Sequence, residues 1–393
     1  MKILSIETSC DETAVSIVEA EGGLDSPSFK VLGNALFSQI AIHKEYGGVY
    51  PMLAKREHAK NLAPLLEKSL KDAGLLKNQQ NNHTEEFWKD VENILSREEG
   101  LFPALKETFK DIDKPNIDAI SVTSGPGLEP ALWVGISFAT ALGKLWNIPV
   151  IGVNHMEGHI ASVLIENIDE RKVEFPALAV LISGGHTEIV KINSWGKYKV
   201  IGQTVDDAVG EAFDKVARLL GLPYPGGPEI SRLAEKAREE NLPHTAKLPR
   251  PMLHSNNLNF SFSGLKTAVL YYIRDHFSGS FENMNEENKS DLAREFEDAV
   301  IDVLREKTNE ALKENNVKTL IVGGGVIANK KLKDVFIDFE NKYSGLVVKI
   351  PTRGLATDNS LMIAVAAYIN TCLYPEILTN TKKIIAKGNL GFE

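Results

Sequence analysis

Cysteine is nearly absent: 393 residues carry two, Cys10 and Cys372, at opposite ends of the chain. That excludes a disulfide framework and fits a reducing compartment, so a cytoplasmic location is expected. Long apolar runs are missing as well. None reaches the 18 or so residues of a membrane-spanning helix. Glu7 and Asp11 break the opening MKILSIETSCDE before it can serve as a signal peptide. No membrane association is therefore expected. Positive charge is in deficit, with 44 lysines and arginines against 53 aspartates and glutamates, a formal net charge of −9. This excludes a surface coated for non-specific nucleic-acid binding. It leaves local patches such as Lys330, Lys331 and Lys333, or Lys382, Lys383 and Lys387. What is present is a composition of 43% hydrophobic and 25% charged residues, enough for one large or two to three ordinary domains.

The chain repeats itself at low similarity. KILSIE, TAVSIVEA and KVLGNALF read as a three-strand meander around the polar turn TSCDE. ALAVLI, TEIVKI and YKVIGQTV, from residue 177, read as a second meander around SGGH. Each is followed by strand, glycine turn, helix and strand: DAISVTSGPG to PVIGVNH in the first half, KTLIVGGGVIAN to LVVKIP in the second. A closing helix ends each half. The pattern predicts a duplicated α/β architecture with two lobes around a central cleft. The expected boundaries are 1–150 for the first lobe, 151–370 for the second and 371–393 for a tail. Residues 77–114 read as a polar, partly helical insert, and 222–290 as a turn-rich excursion over the cleft.

VNHMEGHIASVL sets His155 and His159 four apart at a strand-to-helix junction, a spacing that puts both rings on one helix face. A satisfied pair of core histidines and a metal site both fit. In the H-E-x-x-H pattern of zinc peptidases the glutamate directly follows the first histidine. Here Glu157 comes two after His155, about 100° further round than the next position. Asp358, in ATDNSLMIAVAAYI, is open to two readings, a helix N-cap and a third ligand. Two imidazoles and one carboxylate suit iron or zinc better than calcium. LISGGHTEI and GGGVIANKKL are tight glycine turns. Taken as equivalent points of two halves facing one cleft, they support a nucleotide site built on exposed backbone N–H groups. GEAFDK offers Glu211 and Asp214, either as an exposed helix face or as partners for ribose hydroxyls.

IETSCDET, HMEGH, SGGHTE, GEAFDK, YPGGP, FSFSGLKT, GGGVIAN and TDN, in this order from residue 3 to about 370, resemble the universal tRNA threonylcarbamoyladenosine transferase family. The resemblance implies the duplicated actin-like ATPase fold shared with sugar kinases and chaperone ATPases. It implies transfer of threonylcarbamoyl from threonylcarbamoyl-AMP to N6 of adenosine 37, in tRNAs reading codons that begin with A, with release of AMP. His155, His159 and Asp358 are then the ligands of one divalent metal, iron (Fe2+) first and zinc as the alternative. Leu181, Ile182, Ser183, Gly184 and Gly185 meet the acyl-phosphate end of the substrate, and Asp214, Gly227 and Asn329 meet its adenosine. Ser9, Asp11 and Glu12 match the family's loop near the metal, with a supporting catalytic role for Asp11 and Glu12. Expected partners are tRNA, an inactive actin-like paralogue and a small ATPase. Two departures stand out: Ser360 where glycine is usual after TDN, and the length of 77–114.

Three other readings compete. A small-molecule kinase of this fold carries a D-x-G-x-T turn, but ETSCDET has no glycine. A metallopeptidase is weakened by the Glu157 offset. A non-catalytic scaffold does not need an intact metal set.

Overall fold

The computed structural model describes residues 1–78, 83–165, 171–379 and 382–392; residues 79–82 of the 77–114 insert, and 380, 381 and 393 of the tail, lie outside them. Two five-stranded sheets are described. The first has the order β3-β2-β1-β4-β5, with β1 (Lys2–Glu7), β2 (Glu12–Glu21), β3 (Ser28–Ser38), β4 (Ala119–Gly125) and β5 (Val150–Asn154). The second contains β6 (Ala177–Ile182), β7 (Thr187–Ser194), β8 (Lys197–Gln203), β9 (Thr319–Gly323) and β10 (Val347–Lys349), in the order β10-β9-β6-β7-β8. In both, the meander is antiparallel and its first strand pairs in parallel with the fourth. The repeat read in the sequence is thus a repeat of topology.

The chain forms two compact units: residues 1–41, 49–168 and 358–393 make one, and 42–48 with 169–357 make the other. The boundaries at 150 and 370 are therefore redrawn. The helix Ser360–Leu373 explains the difference. It is apolar on all sides and buried over most of its length, and it packs on β1, β2 and the helix His155–Ala161. An apolar helix must be covered on every face, and the first sheet covers this one. The tail joins the same unit: Lys387 N donates to Ser124 O at 2.9 Å and Gly127 N to Gly388 O at 3.1 Å.

Strand alternation divides the first sheet chemically. Leu4 and Ile6 of β1, Val15 and Ile17 of β2, and Ile120 and Val122 of β4 point to one face. They pack there with Leu62 and Leu66 of Pro51–Asp72 and with Leu132 and Phe138 of Glu129–Trp146. The insert adds its helices Glu85–Leu95 and Leu101–Phe109 to this core through Trp88, Val91, Leu105 and Phe109. The opposite face carries buried polar groups: Ser5, Glu7, Ser121 and Thr123, none of them measurably exposed. Ser5 Oγ donates to the Ser360 carbonyl, fixing the helix Ser360–Leu373 against that face.

In the second unit the helices Val209–Leu219, Gly226–Glu239, Ser263–Phe277 and Glu286–Asn315 share one core with Leu178, Val180 and Ile182 of β6. The excursion 222–290 belongs here. Its extended part is strapped to Glu286–Asn315: Asp291 Oδ2 accepts from Thr245 N and Ala246 N at 2.9 Å each, and Glu295 Oε1 from Leu248 N at 2.8 Å. Asp206 likewise accepts from Ser261 Oγ and Ser263 Oγ at 2.6 Å each and from Phe262 N at 2.8 Å. Partial burial opposes charge on Asp206, but these bonds hold its carboxyl below the usual range. Asp206→Ala is expected to cost about 1 kcal/mol, the low end for bonds to a charged acceptor that faces solvent. A depressed carboxyl stabilises above the ordinary carboxylate range and stops doing so as pH falls through and below it. The melting-temperature gap between variant and parent should therefore narrow in acid.

Candidate functional site

The strand β5 ends at Asn154, whose Oδ1 accepts from Met156 N at 2.9 Å and so starts the helix His155–Ala161. One turn separates His155 from His159, and their rings lie edge to face with centroids 4.7 Å apart. Asn359, not Asp358, caps the helix Ser360–Leu373, accepting from Met362 N at 3.0 Å. Asp358 is released from that task and faces the histidines. Its Oδ1 lies 3.4 Å from His155 Nε2 and 3.2 Å from His159 Nε2. One ligand atom from each residue fits within 4.8 Å of the others.

His159 is fully buried; among the described residues its Nδ1 has no hydrogen-bond partner, and its Nε2 meets Asp358 Oδ1 at 3.2 Å without good hydrogen-bond alignment. An orphaned buried imidazole is costly, and a metal is what would satisfy it. Two nitrogens and one oxygen at these separations fit a zinc or iron ion bonded at about 2.0–2.2 Å. Glu157 is turned away: its Oε2 accepts from Asn370 Nδ2 at 3.2 Å. The general base of a peptidase is thus missing from the triad.

Burial disfavours charge on His155, but Asp358 and Glu7 on either side overcome it and lift its imidazolium to about 10. Asp358, despite its burial, is held far below the usual range, chiefly by His155. Glu12 goes the other way: burial, then Asp11 and Asp358, raise its carboxyl well above 4.5. A carboxylate whose carboxyl is raised in this way is a stronger base than an ordinary one, which suits it to accepting a proton. The turn carrying Asp11 and Glu12 is pinned carbonyl by carbonyl: Leu128 N donates to Ser9 O at 2.8 Å, His58 Nε2 to Cys10 O at 3.0 Å, and Gln39 N to Asp11 O at 2.9 Å. Asp11, Glu12 and the triad are therefore one cluster within the first unit.

The predicted substrate residues gather in the second unit, and here one expectation is corrected. The turns 181–185 and 323–329 are not equivalents in two halves. They follow β6 and β9, adjacent parallel strands of one sheet. Leu181 and Ile182 are buried in β6, while Gly184 and Gly185 are exposed, with nothing near where a Cβ would stand. The turn leans on Gly210: its N donates to Ser183 O at 3.1 Å, and a Cβ there would lie 2.8 Å from Gly184 Cα. Asp214 Oδ1 accepts from Gly226 N at 2.7 Å, tying Val209–Leu219 to the start of Gly226–Glu239, beside Gly227. Asn329 is already engaged. Its Oδ1 caps Lys330–Ile337 through Leu332 N at 2.9 Å, and its Nδ2 donates to Ser231 Oγ at 2.7 Å and Glu297 Oε1 at 2.6 Å.

Glu7, Thr123, His58 and Gly210 are given no site role in the sequence reading. A signal existed for two of them. Alternation places Glu7 and Thr123 on the face opposite Leu4, Ile6 and Val122, where the strand ends carry Ser5, Glu7, Ser121 and Thr123 beyond the apolar Ile3 and Ala119.

Comparison with known proteins concerns the chain as a whole. The family described as tRNA N6-adenosine threonylcarbamoyltransferase matches residues 30–81 and 96–365, leaving out part of the insert. A tRNA N6-adenosine threonylcarbamoyltransferase of Burkholderia ambifaria (strain MC40-6) is 43% identical over 377 residues, 96% of this chain and 94% of its own. One of Paraburkholderia xenovorans (strain LB400) is 43% identical over 376 residues, with the same coverage. Among solved structures, full-length HypF in its phosphate- and nucleotide-bound form aligns with a TM-score of 0.50 at 14% identity, covering 95% of this chain and 46% of that one. At that identity the likeness speaks for the actin-like fold alone.

Proposed function

The chain belongs to the tRNA N6-adenosine threonylcarbamoyltransferase family, and from that premise we propose how its residues divide the reaction. It is an acyltransferase that forms threonylcarbamoyladenosine on tRNA. The donor is threonylcarbamoyl-AMP, and the acceptor is N6 of adenosine 37 in tRNAs that read codons beginning with A. N6 attacks the carbamoyl carbon, the bond from that carbon to the phosphate oxygen breaks, and AMP leaves with the electron pair.

His155, His159 and Asp358 hold the metal, Fe2+ in first place and zinc as the alternative. When bound, the metal supplies Lewis acidity toward substrate oxygens. The observation that carries this reading is the triad itself: three ligand atoms within 4.8 Å, with a buried imidazole otherwise unsatisfied. Glu12 takes up the proton that N6 loses, with Asp11 sharing it. The N–H groups of Gly184 and Gly185 face the charge that develops on the leaving phosphate, while Leu181, Ile182 and Ser183 form the base of that turn. Asp214 and Gly227 bound the adenosine subsite. Asn329 shapes it by capping Lys330–Ile337. Holding two large substrates in register supplies much of the rate.

No helix among the described residues is long and apolar enough to cross a membrane. We place the protein in the cytoplasm with its tRNA, working alongside an inactive actin-like paralogue and a small ATPase. The net charge of −9 fits an enzyme that shares its grip on tRNA with others.

The test is a reconstituted transfer: threonylcarbamoyl-AMP, unmodified tRNA with an anticodon ending in U, the chain and its partner proteins, with nucleosides read by mass spectrometry. Threonylcarbamoyladenosine is the expected product, and its absence from a folded, metal-loaded chain with competent partners would overturn the proposal. Metal analysis of the purified protein separates iron from zinc.

A further inference from the structure

We propose that Glu7 is a positioning residue for the metal: it fixes the tautomer and tilt of His155, and ties that ligand to the Ser9–Glu12 turn. This rests on reading His155, His159 and Asp358 as metal ligands.

Glu7 is the last residue of β1 and is fully buried. A carboxylate so placed needs donors on both oxygens, and three are present. Oε1 accepts from Ser9 N at 2.5 Å, and Oε2 accepts from Thr123 Oγ1 at 2.6 Å and faces His155 Nδ1 at 3.1 Å. Because the carboxylate only accepts here, Nδ1 carries the hydrogen. In the neutral ring of the metal-loaded protein the lone pair of His155 is therefore on Nε2, the nitrogen that faces Asp358. Outer carboxylates commonly hold ligating histidines this way, and their loss lowers metal affinity about 10–100-fold.

The same carboxylate reaches in two directions. Its Oε2 side serves the helix His155–Ala161, and its Oε1 side serves the backbone that leads to Asp11 and Glu12. Ring orientation and carboxylate position are thus set by one group, which sequence reading saw only as an interruption of an apolar run.

Glutamine is the discriminating replacement because it keeps the shape and spoils the logic. If its oxygen faces Ser9 N, its amide NH2 faces His155 Nδ1, which must give up its hydrogen. The ring proton then moves to Nε2, where the metal would bind. If its oxygen faces His155, the NH2 opposes Ser9 N–H. The first arrangement costs Nε2 its lone pair, and the second leaves Ser9 N–H unpaired.

The test uses Zn2+ as probe, with affinity measured by competition against a chelator for the full chain, Glu7→Gln and His159→Ala. Expected is a 10–100-fold loss in Glu7→Gln, with circular dichroism and melting close to the parent, and a larger loss in His159→Ala. Affinity within twofold of the parent in Glu7→Gln, with His159→Ala impaired, overturns the role of Glu7 and leaves the triad standing. Equal binding in all three overturns the triad and this proposal with it. Should Glu7→Gln fail to fold, the parent protein decides: with 15N-histidine labelling and Zn2+ bound, nitrogen–proton correlations are expected to show His155 protonated at Nδ1 and shifted at Nε2. A proton on Nε2, or zinc at Nδ1, overturns the proposal.

Discussion

Replacing His155 and His159 together by alanine is expected to remove tightly bound metal and to cut threonylcarbamoyl transfer about a thousandfold or more. The size follows from the chemistry. Lewis-acid stabilisation is worth several kcal/mol, and each 1.36 kcal/mol is tenfold in rate. Metal content by mass spectrometry and single-turnover transfer check the two halves of this result. Retained activity in a metal-free double variant would sink the metal reading. A pH signature accompanies it. In the metal-free chain the His155 imidazolium is raised to about 10 by Asp358 and Glu7 against its burial. A raised pKa stabilises the fold fully below the ordinary histidine value, about 6.5, and the contribution disappears as pH rises through about 10. The loaded protein has displaced that proton and lacks the dependence. Melting of metal-free protein should therefore fall between pH 7 and 10 while that of the loaded protein holds steadier. The alanine double variant should show neither the fall nor the gain on adding metal.

Gly324→Ala is expected to be the most damaging small substitution in the second unit. Gly324 has φ of +94°, a conformation that strains a residue with a Cβ, and that Cβ would lie 2.5 Å from the Ile182 carbonyl oxygen. Strain of about 1–3 kcal/mol and a backbone clash of similar size add to roughly 2–6 kcal/mol. That is a large share of the 5–15 kcal/mol typical of a whole domain, and about 10 °C or more in melting temperature for a unit of this length. Gly325→Ala is the control, because nothing stands within 4 Å of its Cβ. The two effects separate by unit. Ile182 leads directly into Ser183, so transfer should fall in Gly324→Ala even where the chain remains folded. Zinc affinity should not fall, since the triad belongs to the first unit. A Gly324→Ala protein that melts within 2 °C of its parent would contradict the packing described.

The repeat was legible because strand alternation and glycine turns are local signals, and two copies reinforced each other. The histidine pair was legible for the same reason, since i, i+4 spacing needs no tertiary knowledge. Asp358 stood out in the sequence, but that Asn359 and not Asp358 does the capping was left open there because both side chains cap well. Unit membership was not legible. Whether Ser360–Leu373 covers the first sheet or the second depends on which apolar face awaits it, and hydrophobicity carries no address. The same blindness set the turns 181–185 and 323–329 in separate halves, although they stand on neighbouring strands. Glu7 was overlooked because a carboxylate at a strand end is usually solvated, and only its three donors reveal its use.

The docking of Ser360–Leu373 on the first unit also orders events during synthesis. The ribosome delivers His159 long before Asp358, which lies 199 positions further along the chain. At about 5–20 residues per second, that interval is roughly 10–40 s. Throughout it, the nascent first unit has two histidines but no carboxylate to close the site, and the sheet face that Ser360–Leu373 will cover lies bare. The triad is thus completed late in translation, out of reach of any fragment that stops short of residue 358. Its completion can serve as a report that almost the whole chain has been made and folded.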